Sequence, residues 1–212
     1  ETMIKTFIFT FLFAFICSIG FTQTREAIDS LHHQLANAKD DTSRINAQIG
    51  LCLLYHLGNT DSSLIYGQRA LRSAGQINYL PGQIQALSFM SIVTMQQGNL
   101  PKSLELGFKA LQLGREHHLE SFAGAALDGI GETYIILKDY PKALGYLRTY
   151  MSAVGTSTNE GLAYAYYDMG VTFDGMNLPD SAIHYEELAI ETFRKYGREE
   201  PLVYQTLGDI GR

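Results

Sequence analysis

Tryptophan is absent from the 212 residues, cysteine occurs only twice and proline five times. No run of lysine and arginine interrupts a background of net charge −6 and pI near 5.5. That balance excludes nucleic acid as the main partner, because phosphate recognition needs a basic surface. The twenty glycines form no GxGxxG or GKS/T pattern, so no phosphate-cradling loop is encoded. Of the six histidines, four stand in adjacent pairs, His32–His33 and His117–His118. Neighbours on a helix diverge by about 100° and do not share a metal readily; a zinc motif wants an i, i+4 spacing. No metal and no cofactor are expected.

Long hydrophobic runs are also missing, with one exception at the start. Residues 1–23 place Lys5 before an apolar run from Phe7 to Ile19, followed by small and polar residues. This is the layout of a secretory signal peptide, and the run is short of the roughly 20 residues of a spanning helix. The expectation is an exported protein, periplasmic or membrane-associated and facing the periplasm, with a membrane tether only through an uncleaved leader or a following segment. Removing the leader keeps the charge at −6 and leaves Cys52 as the single cysteine, so no internal disulfide can form. Cys52 lies in an apolar stretch, Ile49 to Tyr55, and reads as a core thiol.

What is present is a repeat. GNTDSSLIYGQRAL, GNLPKSLELGFKAL and KDYPKALGYLRTYM begin at Gly58, Gly98 and Lys138, forty residues apart. Small residues Ser63, Ser103, Ala143 and Ala182 recur at steps of 40, 40 and 39, and Ala70, Ala110, Tyr150 and Ala189 follow seven positions later. Seven residues are close to two helical turns, so each pair shares one face and lets a neighbouring helix approach. The adjoining Leu64, Leu104, Leu144 and Ile183 are expected to fill the core. Pro101, Pro141 and Pro179 stand where a helix's first turn tolerates a missing N–H, and Asp61 and Ser62 offer capping oxygens in the first repeat. Pro81 and Pro201, three periods apart, mark joints between helices. The preceding helices carry a second pattern, Leu127, Ile130, Gly131 and Tyr134, repeated as Tyr166, Met169, Gly170 and Phe173. These signals predict helices at about 42–57, 61–78, 82–97, 101–118, 121–137, 141–154, 160–175, 179–196 and from 202 onward, preceded by one at 24–38.

Alternating helices with Leu127-x-x-Ile130-Gly131-x-x-Tyr134 and then Tyr140-x-x-Ala143-Leu144 resemble tetratricopeptide repeats (TPRs). The period of about 40 exceeds the family's 34, which lengthens each helix by about one turn. The family's early tryptophan and late proline are missing. The resemblance implies an all-α, right-handed superhelical solenoid of antiparallel helix pairs. The expected organisation is a signal peptide at 1–23, an N-terminal capping helix at 24–40, and an array at 41–212 of four units plus a truncated fifth. Because Arg212 ends a first helix, the chain is expected to be part of a longer protein.

In such arrays the functional surface is the groove lined by first helices. The register places Gln48, Cys52 and Tyr55 there, then Gln85, Ser88 and Gln96, then Asp128 and Glu132, then Tyr164, Tyr167 and Asp174. Amides, tyrosines and acids suit a protein or peptide partner, with aromatics as anchors, although the tyrosines could equally pack between units. Chaperone-binding relatives clamp a carboxylate with Lys and Asn; the positions Gln48, Ser88, Asp128 and Tyr167 lack that clamp. Asp128 and Glu132 share a helix face and could do acid–base work. No partnered nucleophile or second carboxylate motif is visible in the sequence, so a solvated or ligand-facing surface is expected and no enzyme. The resemblance extends by analogy to the exported input regions of bacterial sensor histidine kinases; the alternative is a free-standing periplasmic scaffold for envelope complexes. Oligomeric state is not encoded legibly.

Overall fold

The computed structural model describes residues 24–56, 58–154 and 160–195. Among them are nine α-helices and no strand. Helix α1 runs over 24–36, α2 over Asp41–Tyr55, α3 over Thr60–Gln76, α4 over Leu80–Gln96 and α5 over Leu100–Glu116. A short 3-10 turn, Glu120–Ala123, precedes α6 at Gly124–Ile136; α7 (Tyr140–Val154), α8 (Glu160–Gly175) and α9 (Pro179–Lys195) follow. The expected leader at 1–23 and the expected helix from 202 lie outside the described residues. No helix among the described residues is long and apolar enough to cross a membrane.

The helices begin where the sequence supplies caps. Asp40 accepts from the Ser43 amide at 2.7 Å, Asn59 from Ser62 at 2.9 Å and Asn99 from Lys102 at 3.3 Å, each relieving one orphan donor of a first turn. They end by one repeated device. Asn78, Gly98, His118, Lys138 and Asn177 all adopt φ between 55° and 77°. At each, the next residue's amide reaches back five positions, as Tyr79 does to Ala74 and Asp139 to Tyr134, at 2.8–3.0 Å. These are Schellman closures, which satisfy the last carbonyls. The α6 start departs from expectation. Ala123 has no capping side chain, so the chain passes through the 3-10 turn before α-geometry begins at Gly124.

Contacts divide the chain into two compact units, Glu1–Gly82 and Gln83–Arg212. In the first, α3 buries Ser63, Gly67, Ala70 and Ala74, a stripe of small residues, while α2 buries Ile45, Ile49, Leu51 and Cys52. The Ser63 hydroxyl donates to the Cys52 carbonyl at 2.6 Å and lies 3.5 Å from Cys52 Sγ. Cys52 is therefore a core thiol and does not face a groove; burial raises its pKa.

In the second unit the small residues again mark close approach. Ser103, Ala143 and Ala182 are all buried, as are Ala110, Tyr150 and Ala189. A Cβ on Gly107 would lie 2.7 Å from Ile130, and one on Gly131 would lie 2.9 Å from Leu147, so only glycine admits these neighbours. Hydroxyls replace methyls along one seam: Ser91 donates to the Ser103 carbonyl at 2.8 Å, and Ser103 Oγ lies 3.0 Å from Thr133 Oγ1. The expectation for the adjoining large residues needs correction. Leu144 is buried, Leu64 and Leu104 are half-buried, and Ile183 is exposed. The position next to the small residue lies at the edge of the buried stripe, about 100° from its centre.

Candidate functional site

The chemistry of the second unit concentrates on α6 and α8. Helix α6 turns Leu127, Ile130 and Gly131 into the core, and Gly129 packs against Ile92 of α4. Asp128 and Glu132, one turn apart, therefore share another face. Helix α8 buries Ala165 and Met169 and brings Asp168 to the same place. One oxygen from each of Asp128, Glu132 and Asp168 lies within 4.8 Å of the others. No histidine or cysteine among the described residues joins them.

Of the two expectations for the Asp128–Glu132 pair, a solvated or a ligand-facing surface, the packing disfavours the first, and it adds a third carboxylate that the sequence did not show. Asp168 is only 9% exposed, and Asp128 and Glu132 are half-buried. Asp128 Oδ1 and Asp168 Oδ2 are out of reach of solvent and hydrogen-bond to nothing in the protein. The reason is packing: α8 lies beside α6 and covers the face that the isolated helix would show to water. Asp168 was not predicted, yet the register contains it. The Leu127–Tyr134 pattern maps onto Tyr166–Phe173 at a step of 39, so Asp168 falls where Gly129 stands. Gly129 faces the preceding first helix, and so does its counterpart.

Desolvation and mutual repulsion set the electrostatics. Burial, then Glu132, raises Asp128 well above the usual carboxylate range. Asp168 is raised likewise by burial, then by Glu132 and Asp128. Burial takes Glu132 to about 7, and Tyr150 of α7 is pushed to about 12 by burial and by the charges of Asp128 and Asp168. Such a group can share protons among its members, accept donors from a cationic side chain, or hold a hard cation.

A cleft of about 320 Å³ opens at this cluster. Glu132 and Asp168 line it, with Ile135 and Ile136 from α6 and Tyr164, Tyr167 and Val171 from α8. Four expected groove residues thus fall in one neighbourhood: Asp128, Glu132, Tyr164 and Tyr167. The tyrosines do both things that the sequence left open. They line the cleft, and they also pack on Ala163, Ala189, Ile190 and Phe193, with Tyr164 edge-on to Phe193 at 5.1 Å. The remaining expected residues are dispersed. Gln85 is half-buried, Gln96 and Asp174 are exposed, and Ser88 is fully buried, donating to the Ile84 carbonyl. In the first unit Gln48 is buried, and Tyr55 stacks on Tyr66 at 5.7 Å while its hydroxyl meets His32 at 3.1 Å. A wider concavity of about 590 Å³ beside the α1–α2 turn is lined by polar groups, among them Asp40, which is committed to its cap.

Solved structures resemble this fold over most of its length. BtubC from P. vanneervenii covers 89% of this chain and 82% of its own at TM-score 0.68 and 17% identity. A Rap protein complexed with competence and sporulation factor reaches TM-score 0.73 at 17% identity, over 87% of this chain and 53% of its own. Kinesin light chain TPR-like repeats from P. anserina cover 85% of this chain and 91% of theirs, at TM-score 0.55 and 13% identity. The fold is TPR-like. No protein-family model matches the chain, and no curated protein matches it. At these identities the likeness shows the fold alone.

Proposed function

We propose that this chain is a non-catalytic binding module for a protein or peptide partner, and that it reads its partner at the α6–α8 cleft. The observation that carries this is the cleft's composition. Aliphatic and tyrosine walls stand beside buried carboxylates, which combines an aromatic anchor with a charge-selective one. The fold shared with a Rap protein solved in complex with competence and sporulation factor supports the same reading. At a finer level, the module serves as the extracytoplasmic input region of a longer signal-transduction protein such as a sensor histidine kinase. The leader-like layout of residues 1–23 supports export. The other reading, a free periplasmic scaffold, predicts a stable multiprotein assembly.

The test is photo-crosslinking from a benzoylphenylalanine placed at Tyr167 in cells, with Gln96 as a control site. Partner adducts from Tyr167 but not Gln96 support the cleft. Equal or no adducts from both positions refute it. Fractionation of the tagged chain tests export, and a cytoplasmic location removes the signalling reading.

A further inference from the structure

We infer that Asp128, Glu132 and Asp168 form a binding site for a divalent hard cation, of the Ca²⁺ class. This goes beyond the partner-binding reading and does not depend on it. Three carboxylates from two helices converge with donor oxygens no more than 4.8 Å apart. Independently of that convergence, Asp168, whose carboxylate meets the other two, is nine-tenths buried, and its Oδ2 bonds to nothing in the protein. Asp128 Oδ1 is in the same condition. Buried polar atoms normally have partners, and each exception calls for an explanation. Two such atoms lie in one cluster, and no lysine, arginine or histidine lines the cleft, so a bound positive ion would satisfy both with the carboxylates ionised.

The donor set and spacing select the class of ion. All three ligands are carboxylate oxygens, which suit Ca²⁺, Mg²⁺ or Mn²⁺ and not the nitrogen- and sulfur-seeking metals. Oxygens on opposite sides of a Ca²⁺ ion stand about 4.8 Å apart, at about 2.4 Å each, whereas Mg²⁺ draws its ligands in to about 2.1 Å. No oxygen lies more than 4.8 Å from another, so all three can reach one ion, and Ca²⁺ is favoured because Mg²⁺ dehydrates reluctantly and keeps several waters. Three carboxylates do not complete a Ca²⁺ shell of six to eight oxygens. The cleft beside Glu132 and Asp168 gives water access for the remaining positions and an entry path for the ion.

The test uses the full chain after chelation and desalting, melted with and without added Ca²⁺ or Mg²⁺. Tyrosine-sensitised Tb³⁺ luminescence is a second readout, and the lack of tryptophan makes Tyr150, Tyr164 and Tyr167 the near donors. The expected result is a rise in Tm of about 5–10 °C at an ion concentration about a hundredfold above Kd, larger for Ca²⁺ than for Mg²⁺. The rise and the Tb³⁺ signal should be lost in Glu132→Gln and in Asp168→Asn and kept in Glu105→Gln, whose carboxylate is exposed on α5. Circular dichroism identifies any variant that fails to fold, and either neutralised variant suffices. The proposal is overturned if the wild type shows no shift and no luminescence, or if both survive in the neutralised variants. Neither outcome bears on partner crosslinking at Tyr167.

Discussion

Replacing Glu132 by glutamine should make the chelated protein more stable in mildly alkaline buffer. The side chain keeps its length and nearly its helix propensity, so the change isolates the charge. Glu132 titrates near 7 in the folded chain against 4.5 when solvated, because burial disfavours its anion. A carboxylate raised in this way lets the fold keep its full stability below about pH 4.5. Stability then falls as pH climbs through 7 and levels off above it. A shift from 4.5 to about 7 corresponds to about 3 kcal/mol, at about 1.4 kcal/mol per unit. For a chain of this length that is a Tm difference of about 6–12 °C at pH 8.5. The groups facing Glu132 are Asp128 on its own helix and Asp168 on α8, with Tyr150 of α7 beside both aspartates. Because Glu132 raises both aspartates, the glutamine also eases their ionisation, which adds to the gain. The assay is thermal melting by circular dichroism from pH 4.5 to 8.5 in chelator. The variant should match the wild type near pH 4.5 and exceed it increasingly above pH 6. A variant that melts at or below the wild type at pH 8.5 would refute the account of a desolvated, mutually repelling cluster.

Two glycine substitutions of the same kind should act in opposite directions. Gly107→Ala should lose about 1–2 kcal/mol in denaturant titration, since the new methyl meets fully buried Ile130 at 2.7 Å and overpacking outweighs the gain in helix propensity. Gly145→Ala, which meets nothing within 4 Å on the exposed face of α7, should gain about 0.5–1 kcal/mol. Thr133→Val should cost about 1–2 kcal/mol by the same titration. It removes the hydroxyl that donates to the Gly129 carbonyl and leaves Ser103 without that neighbour in the buried seam.

The helix pairs were legible because their signals are local. Pro101, Pro141 and Pro179 fall in the first turns of α5, α7 and α9, and the buried residues Ser63, Ser103, Ala143 and Ala182 recur at the spacing that the helices need. The helix ends were less legible. Four of the five left-handed closing residues are Asn, His or Lys in place of glycine, so the usual mark of a C-terminus was missing. Asp168 was hidden for a different reason. Its role depends on which way one position of the repeat faces, and that emerges only when α8 is laid against α6. The same holds for Ile183, whose exposure follows from the width of a packed stripe and not from its own hydrophobicity.

The closures at Asn78, Gly98, His118 and Lys138 stand twenty residues apart, each completed by bonds within six residues of chain. Helix length is thus metered by the backbone itself before any neighbour is met. A slip of one helix past another by a turn would be caught at both ends, because the stopping points cannot slide. It also means that a segment such as 99–138 starts and finishes on the same backbone geometry. Copies of it are interchangeable lengths, by which the chain can grow or shrink without any joint being redesigned.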